Sequence, residues 1–391
     1  MDRKKVAVIG GGASGIFAAI KAASNGHAVT IYEHTDSIGK KLLVTGNGKC
    51  NFTNLNMGEE YYHSSTDNGL ISGVLLRFGL KETLDFFDKL GLYTKEKNGG
   101  IYPYTDTSRT VLNLLKTELK RLKVNIVCMK DIKELMPEGM VNGDDYDAVI
   151  LAAGGLTAKN TGSDGSGMKL LKDMGCRMIK PYPALCPLPV KEDLSALKGV
   201  RCRAVLSLIT DGRLKMSSRG ELQPYEGGLS GICAFDLSGE AALAVREKKQ
   251  VKVECDLFPE TDDEGFGTHI LSMKNRHPGI GIKDILTGML NEKLINHILH
   301  PLDERKDSFI NDLTGAVKHR TYEISDKITG DYSKAQVTGG GLCLSELNDD
   351  LSLKRFPKIR VCGEVLDVYG NCGGYNLQWA MSSGYVAGDI L

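Results

Sequence analysis

The sequence predicts an α/β fold in which strand-and-turn chemistry at both ends encloses a middle of different character. Three stretches predict it. Residues 6–9 are an unbroken apolar run that passes into Gly10-Gly11-Gly12-Ala13-Ser14-Gly15 and then into the helical spacing of Ile16, Phe17, Ala19, Ile20 and Ala23. Residues 146–155 again run from an apolar strand into small residues, and residues 359–364 do so a third time, ending at Glu364. Apolar strands of this kind, each buried on both faces, belong to a parallel sheet.

Taken in order, Gly26 stops the first helix and residues 29–32 form a second strand that ends at Glu33. Gly10, Gly12 and Gly15 fit G-x-G-x-x-G. The first permits a tight turn, the second lets backbone amides approach a pyrophosphate, and the third allows close packing of helix on strand. The helix N-terminus then offers N–H groups and a positive dipole end to phosphates. Glu33 stands one βαβ unit downstream, where a carboxylate accepts from ribose hydroxyls and repels a 2′-phosphate, so FAD or NAD fits better than NADP.

Residues 39–54 carry three glycines, three lysines and several amide and hydroxyl side chains, as expected of a loop wrapping an anionic, hydrogen-bonding ligand. Two short helices are expected across residues 70–92, a turn into a short strand at 97–103, and an amphipathic helix over 108–122. Residues 124–128 read as a strand, with 132–135 continuing the same sheet region. The Gly162-Ser163-Asp164-Gly165-Ser166-Gly167 turn is not a second G-x-G-x-x-G. A single dinucleotide site points to FAD held permanently and a second substrate that visits.

Pro181, Pro183, Pro187 and Pro189 mark the exit into another domain. Beyond them, residues 204–209, 212–216 and 251–257 have strand character, suggesting an antiparallel sheet or small barrel, with residues 227–231 as a turn. Helical periodicity follows over about residues 259–324. His297 and His300 could share a helical face, but with His277 and His319 they read as surface or capping histidines. Residues 336–341 look like a glycine-rich turn. The last helix, over residues 375–384, would set its N-terminus against negative charge developing on a flavin.

Composition narrows the function classes. A chain of 391 residues suggests two or three lobes. Lys+Arg and Asp+Glu both total 49, so no net field recruits nucleic acid or an anionic membrane, and neither partner is expected. There is no secretory leader pattern and no bilayer-length apolar run, and the ten scattered cysteines lack C-x-x-C spacing. A reduced, cytoplasmic protein without structural metal is the expectation.

The stretches GGGASG, GKKLLVTGNGKCNFTN, DAVILAAGG, GSDGSG and VCGEVLDVYGNCGGYNLQWAMSSGYVAG together resemble the YhiN/BaiN-type bacterial FAD-dependent flavoproteins, of the two-dinucleotide-binding-fold class. The resemblance implies a Rossmann-like, discontinuous FAD-binding domain with an inserted β-rich, barrel-like subdomain and a small helical subdomain. The corresponding boundaries are 1–186 and 336–391 for the FAD domain, 187–258 with 320–335 for the β-rich part, and 259–319 for the helical part. It also implies FAD contacts at Gly10, Gly12, Ala13, Ser14, Gly15, Glu33 and His34, and at Lys40, Lys41, Leu42, Thr45, Gly46, Asn47, Gly48, Lys49, Cys50 and Asn51. Further contacts fall at Ile132, Ala153, Gly154, Gly363, Glu364, Asp367, Gly374, Asn376, Leu377 and Gln378. Lys49 stands where the family usually has arginine, Gly100 replaces a common arginine, and Cys372 takes a position often held by threonine.

The expected function is hydride transfer between flavin N5 and a small organic substrate, the flavin carrying the chemistry and Lys49 and Asn376 being the candidate assisting groups. The leading form is NAD(P)H-dependent reduction of a conjugated C=C in a bile-acid or steroid-like enone. Its alternatives are an oxidase of a small amine or amino ketone such as aminoacetone, and a flavin-loaded regulatory or interaction protein.

Overall fold

The computed structural model describes residues 2–67 and 69–390. The chain divides into two units, Met1–Pro181 with Gln336–Leu391, and Tyr182–Ala335.

The first unit holds a five-stranded parallel sheet in the order Ile359–Val361, Ala148–Leu151, Lys5–Ile9, Ala28–Tyr32, Asn125–Val127. Val6 pairs with Ala148 on one side and with Val29 on the other. Two of the three inner strands, Lys5–Ile9 and Ala148–Leu151, are buried at nearly every position, and both read as continuous apolar runs for that reason. Gly26, at φ +92°, releases the chain from the helix Ala13–Ser24 into the second strand. Phe17 on that helix packs against Phe78, Phe86 and Phe87 at 5.8, 4.7 and 6.0 Å between ring centres, so the aromatic cluster of residues 78–87 is core.

The C-terminal segment adds an edge strand to this sheet and then lays the helix Tyr375–Gly388 on the helix Ala13–Ser24. The approach is close because a Cβ at Gly384 would lie 2.2 Å from the Ser14 carbonyl oxygen, and one at Gly388 would lie 2.3 Å from that of Ala18. Two glycines four residues apart form one helical face. The ends are also tied by the Lys21–Asp389 ion pair at 3.0 Å and by His27 Nε2, 3.0 Å from the Ile390 carbonyl oxygen.

Three expectations for this unit are corrected. The loop over residues 39–54 contains a short helix, Lys40–Val44. Residues 132–134 leave the sheet, since Asn142 Oδ1 accepts from the Lys133 and Glu134 amides at 3.0 and 3.1 Å and only Leu135 makes a bridge, to Val141. The glycine-rich stretch at 336–341 lies mostly in a buried strand, Val337–Leu342, rather than a turn. Its glycines serve close approach: a Cβ at Gly340 would meet the Lys180 carbonyl oxygen at 2.8 Å, and one at Gly341 that of Val365 at 2.4 Å.

The second unit is built on a six-stranded antiparallel sheet in the order Leu188–Pro189, Gly228–Ser230, Arg213–Tyr225, Cys202–Thr210, Val251–Asp256, Arg320–Glu323. Pro189 sits in the edge strand, where a missing N–H is tolerated. The expected turn at 227–231 instead supplies the strand Gly228–Ser230, and the helix Ile232–Arg246 after it lies outside the expected elements. That helix buries Cys233, Ala234, Leu237, Ala241, Ala242 and Ala244, so it lacks the polar stripe that marks a helix in sequence. The expected helical stretch forms Asp263–Arg276, Ile282–Thr287, Glu292–Leu299 and Phe309–Lys318. Lys318, 4% exposed, is held there by Asp256 Oδ2 at 2.8 Å and by the carbonyl oxygens of Phe258 and Thr261 at 3.0 and 2.7 Å. Among the described residues no helix is long and apolar enough to cross a membrane, and no cluster of His, Cys, Asp and Glu could hold a metal.

Candidate functional site

The three glycines of the first turn have different neighbours. A Cβ at Gly10, where φ is +106°, would meet the Ala152 carbonyl oxygen at 2.4 Å, and one at Gly15 would meet that of Gly10 at 1.9 Å. The protein itself demands those two glycines. A Cβ at Gly12 would meet nothing within 4 Å, and φ there is −75°. Open space therefore lies at the head of the helix Ala13–Ser24, which has no side-chain cap and whose first internal bond runs from the Ile16 amide to the Gly12 oxygen at 2.9 Å. The amides of Ala13, Ser14 and Gly15 precede that bond.

Glu33 is 7% exposed, and its carboxylate is oriented by two backbone donors, Gly11 N–H to Oε2 at 2.9 Å and Thr35 N–H to Oε1 at 2.8 Å. The His34 ring lies 3.8–3.9 Å from the carboxylates of Glu33, Asp131 and Asp164. Ile132 is half-buried against the core of this unit. Gly154, at φ +73°, and Ala153 form the turn after the strand Ala148–Leu151, braced by the Gly155 amide donating to Ser163 Oγ at 2.9 Å.

Residues 40–50 divide between structural and open positions. Leu42 is buried, and its carbonyl oxygen accepts from Thr45 Oγ1 at 2.7 Å. Lys40 pairs with Asp36 at 2.8 Å. Lys41 Nζ donates to Glu364 Oε2 at 2.5 Å and to Thr157 Oγ1 at 2.9 Å, while Glu364 Oε1 accepts from Thr157 Oγ1 at 3.0 Å and the Thr338 amide at 2.9 Å. Gly46, Asn47, Gly48 and Cys50 all take positive φ, 53° to 81°, while the exposed Lys49 between them does not. Burial pushes the Cys50 thiol up to about 12, which keeps it protonated and unreactive at neutral pH.

Beyond this loop, Asn51 Oδ1 and Thr53 Oγ1 are buried without a hydrogen-bond partner. Asn51 Oδ1 would lie 2.9 Å from a Cβ at Gly374, the residue that begins the last helix, and its side chain also fills the place of a side chain at Gly100. That helix has no side-chain cap, and its first internal bond runs from the Gln378 amide to the Gly374 oxygen at 3.0 Å, so the Asn376 and Leu377 amides precede it.

Two expected contacts use their side chains elsewhere. The Asn376 amide closes the preceding loop, Oδ1 accepting from Gly370 N–H at 2.8 Å and Nδ2 donating to the Gly370 oxygen at 2.7 Å. Gln378 is fully buried, and its Nε2 donates to Thr83 Oγ1 and Ser382 Oγ, both at 2.8 Å. Asp367, 1% exposed, accepts on Oδ2 from the Ser65 amide at 3.0 Å and from the hydroxyls of Ser65 and Thr66 at 2.6 and 3.2 Å, while Oδ1 has no partner. Burial lifts its carboxyl above the ordinary value. Sequence reading missed the Ser64-Ser65-Thr66 run, Thr157, Thr338, and the His63–Asn371 contact at 2.6 Å. The run of three hydroxyls was its one visible signal.

These residues fit a bound dinucleotide. Open space faces an uncapped helix, an oriented carboxylate stands beside it, and orphaned polar atoms lie near a second uncapped helix. Residues 4–390 match the family described as HI0933-like protein Rossmann domain. The chain belongs to that family. It is 40% identical, over 98% of both chains, to a 3-dehydro-bile acid delta(4,6)-reductase of Clostridium scindens. It is also 27% identical to a ribosomal RNA dihydrouridine synthase of Escherichia coli, over 100% of this chain and 98% of that one. Among solved structures, a flavocytochrome c3 fumarate reductase in its open conformation superposes with a TM-score of 0.50 at 14% identity, covering 99% of this chain and 78% of that one, and shares the fold. The chain therefore has the Rossmann-domain fold of that family.

Proposed function

We propose that this family member reduces a ring C=C conjugated to a carbonyl group, with NAD(P)H as the electron source and a steroid-like enone as the acceptor. The observation that carries the reading is the 40% identity, across 98% of both chains, to a protein named as a bile-acid delta(4,6)-reductase. The names of both relatives describe one kind of step: saturation of a ring double bond activated by a nearby carbonyl.

When bound, FAD supplies hydride chemistry at N5. The chain's own residues would do the rest. The amides of Ala13, Ser14 and Gly15 would hold the pyrophosphate, and Glu33, fixed by Gly11 and Thr35, would accept from ribose hydroxyls. The Lys41–Glu364 pair holds the short helix Lys40–Val44 against the turn that begins at Gly363. The Asn376 and Leu377 amides would favour negative charge at the head of the last helix. Asn376 is a positioning residue for the loop at Gly370 that precedes the last helix.

Anaerobic stopped-flow tests the reading. Bleaching of the flavin by NADH or NADPH, followed by reoxidation with a steroid 4-en-3-one, is the expected result. Reoxidation by a uridine-containing RNA but not by the enone would move the acceptor to the class named for the Escherichia coli relative. Bleaching by aminoacetone with peroxide release, and none by NAD(P)H, would make it an oxidase and overturn the proposal.

A further inference from the structure

The Tyr182–Ala335 unit contains a cavity of about 410 Å³ that none of the site residues above touches. This lies within the ~300–1,000 Å³ range that accommodates a small-molecule ligand. Local structure explains its shape. The turn Ser195–Leu197 leads through Gly199, at φ +87°, into Val200 and Arg201, which form one wall. Pro187, just before the edge strand Leu188–Pro189, and Pro224 and Tyr225, at the end of the long strand Arg213–Tyr225, form the others. Lys334 also lines it, with Nζ 5.3 Å from the centre of the Tyr225 ring.

Its lining sets apolar walls beside cations, and the neutral polar Gln223 and Ser230 also contribute to it. Val200 and Pro224 are buried and, with Pro187 and the Tyr225 ring, give rigid apolar walls. Arg201 and Lys334 are exposed cations, and neither forms an ion pair with a carboxylate among the described residues. The nearby Asp331 carboxylate accepts from the Ser333 amide at 2.9 Å and also interacts at longer range with Lys334, offsetting part of that cation's charge. Two cations beside stiff apolar walls complement a molecule that is itself stiff and apolar with an anionic end, because the walls lose little side-chain freedom on binding and the charges steer its orientation.

We propose that this cavity binds the carboxylate end of a rigid, apolar organic acid, a bile acid being the class that the proposed enone reduction supplies. The choice of that acid rests on the functional reading above. Titration calorimetry of the oxidised holoenzyme would compare a 3-oxo-4-ene bile acid with the uncharged 4-androstene-3,17-dione, in wild type and in Arg201→Gln/Lys334→Gln. The double variant is expected to bind the acid roughly three- to tenfold more weakly at low salt, as for two solvent-facing ion pairs, and the uncharged steroid as before. Added salt should erase the difference. Unchanged affinity for the acid in the double variant, equal losses for both steroids, or no binding of the acid by wild type would each overturn the proposal. Reduction of the uncharged enone, followed in parallel, reports on the functional reading alone: if that fails while the acid still binds through Arg201 and Lys334, only the function is refuted.

Discussion

Replacing Gly12 with valine separates what the fold needs from what the cofactor needs. The backbone at Gly12, φ −75° and ψ −174°, is extended and acceptable to a β-branched residue, and a Cβ there meets nothing within 4 Å. Losing glycine ahead of the helix should cost up to about 1 kcal/mol of stability in the apoprotein. The isopropyl group would nevertheless stand over the amides that begin the helix Ala13–Ser24. If it displaces two charge-assisted hydrogen bonds to a pyrophosphate, at about 1.5–3 kcal/mol each, binding loses about 3–6 kcal/mol, on the order of 10²–10⁴-fold in Kd. Reconstitution of apoprotein with FAD, followed by calorimetry or fluorescence quenching, measures the loss, and thermal melting of the apoprotein checks the fold. Gly15→Val is the contrast: its Cβ would sit 1.9 Å from the Gly10 oxygen, so it should fail to fold. A soluble Gly12→Val protein that melts normally and binds FAD within threefold of wild type would refute the assignment of that space to phosphate.

Glu33→Gln leaves one acceptor oxygen for two backbone donors, so either the Gly11 or the Thr35 amide would face an NH2 group and the apoprotein should lose about 1–3 kcal/mol, while FAD affinity falls roughly tenfold, since a neutral amide accepts ribose hydroxyls less strongly than a carboxylate; unchanged flavin affinity by titration would remove its ribose role. Lys41→Met, Glu364→Gln and the double variant form a double-mutant cycle, and the 2.5 Å contact between partners 27% and 18% exposed should give a coupling of about 1–3 kcal/mol in denaturant unfolding. A coupling near zero would show the pair to be incidental. His319, whose imidazole is held above its ordinary value first by the hydrogen bond to Asp263, should stabilise the protein fully below that ordinary value and cease to do so as pH rises through the raised one. The melting difference between wild type and His319→Gln should therefore be largest in mild acid, where the imidazole is charged and Asp263 and Glu254 are still ionised, and shrink as pH rises into alkali, and a difference that does not change with pH would count against the charge.

Much of the first unit is legible in the order of its residues. The parallel strands, the first helix and its stop at Gly26, the paired helices Leu70–Arg77 and Leu80–Lys89, and the helical character after Pro259 in the second unit follow from periodicity and turn chemistry, though not the division of that last stretch into four helices or the strand Arg320–Glu323 at its end. The failures share a cause. Glycine marks a turn when it supplies positive φ, but it also appears wherever two backbones must approach, as at Gly340 and Gly341 inside a strand. Likewise the alanine-rich helix Ile232–Arg246, buried on most sides, shows no polar face to count.

Local covalent preferences are readable one stretch at a time, and by itself the sequence determined the strand, glycine turn, helix and terminal acid of residues 5–33, because spacing and tolerance of positive φ are properties of neighbours in the chain. Only the tertiary structure decided that Lys41 meets Glu364, that Asp367 lies under Ser65 and Thr66, and that Arg201 and Lys334 face one cavity. Those partners lie more than a hundred residues apart, and packing rather than local preference brings them together, so no periodicity announces them.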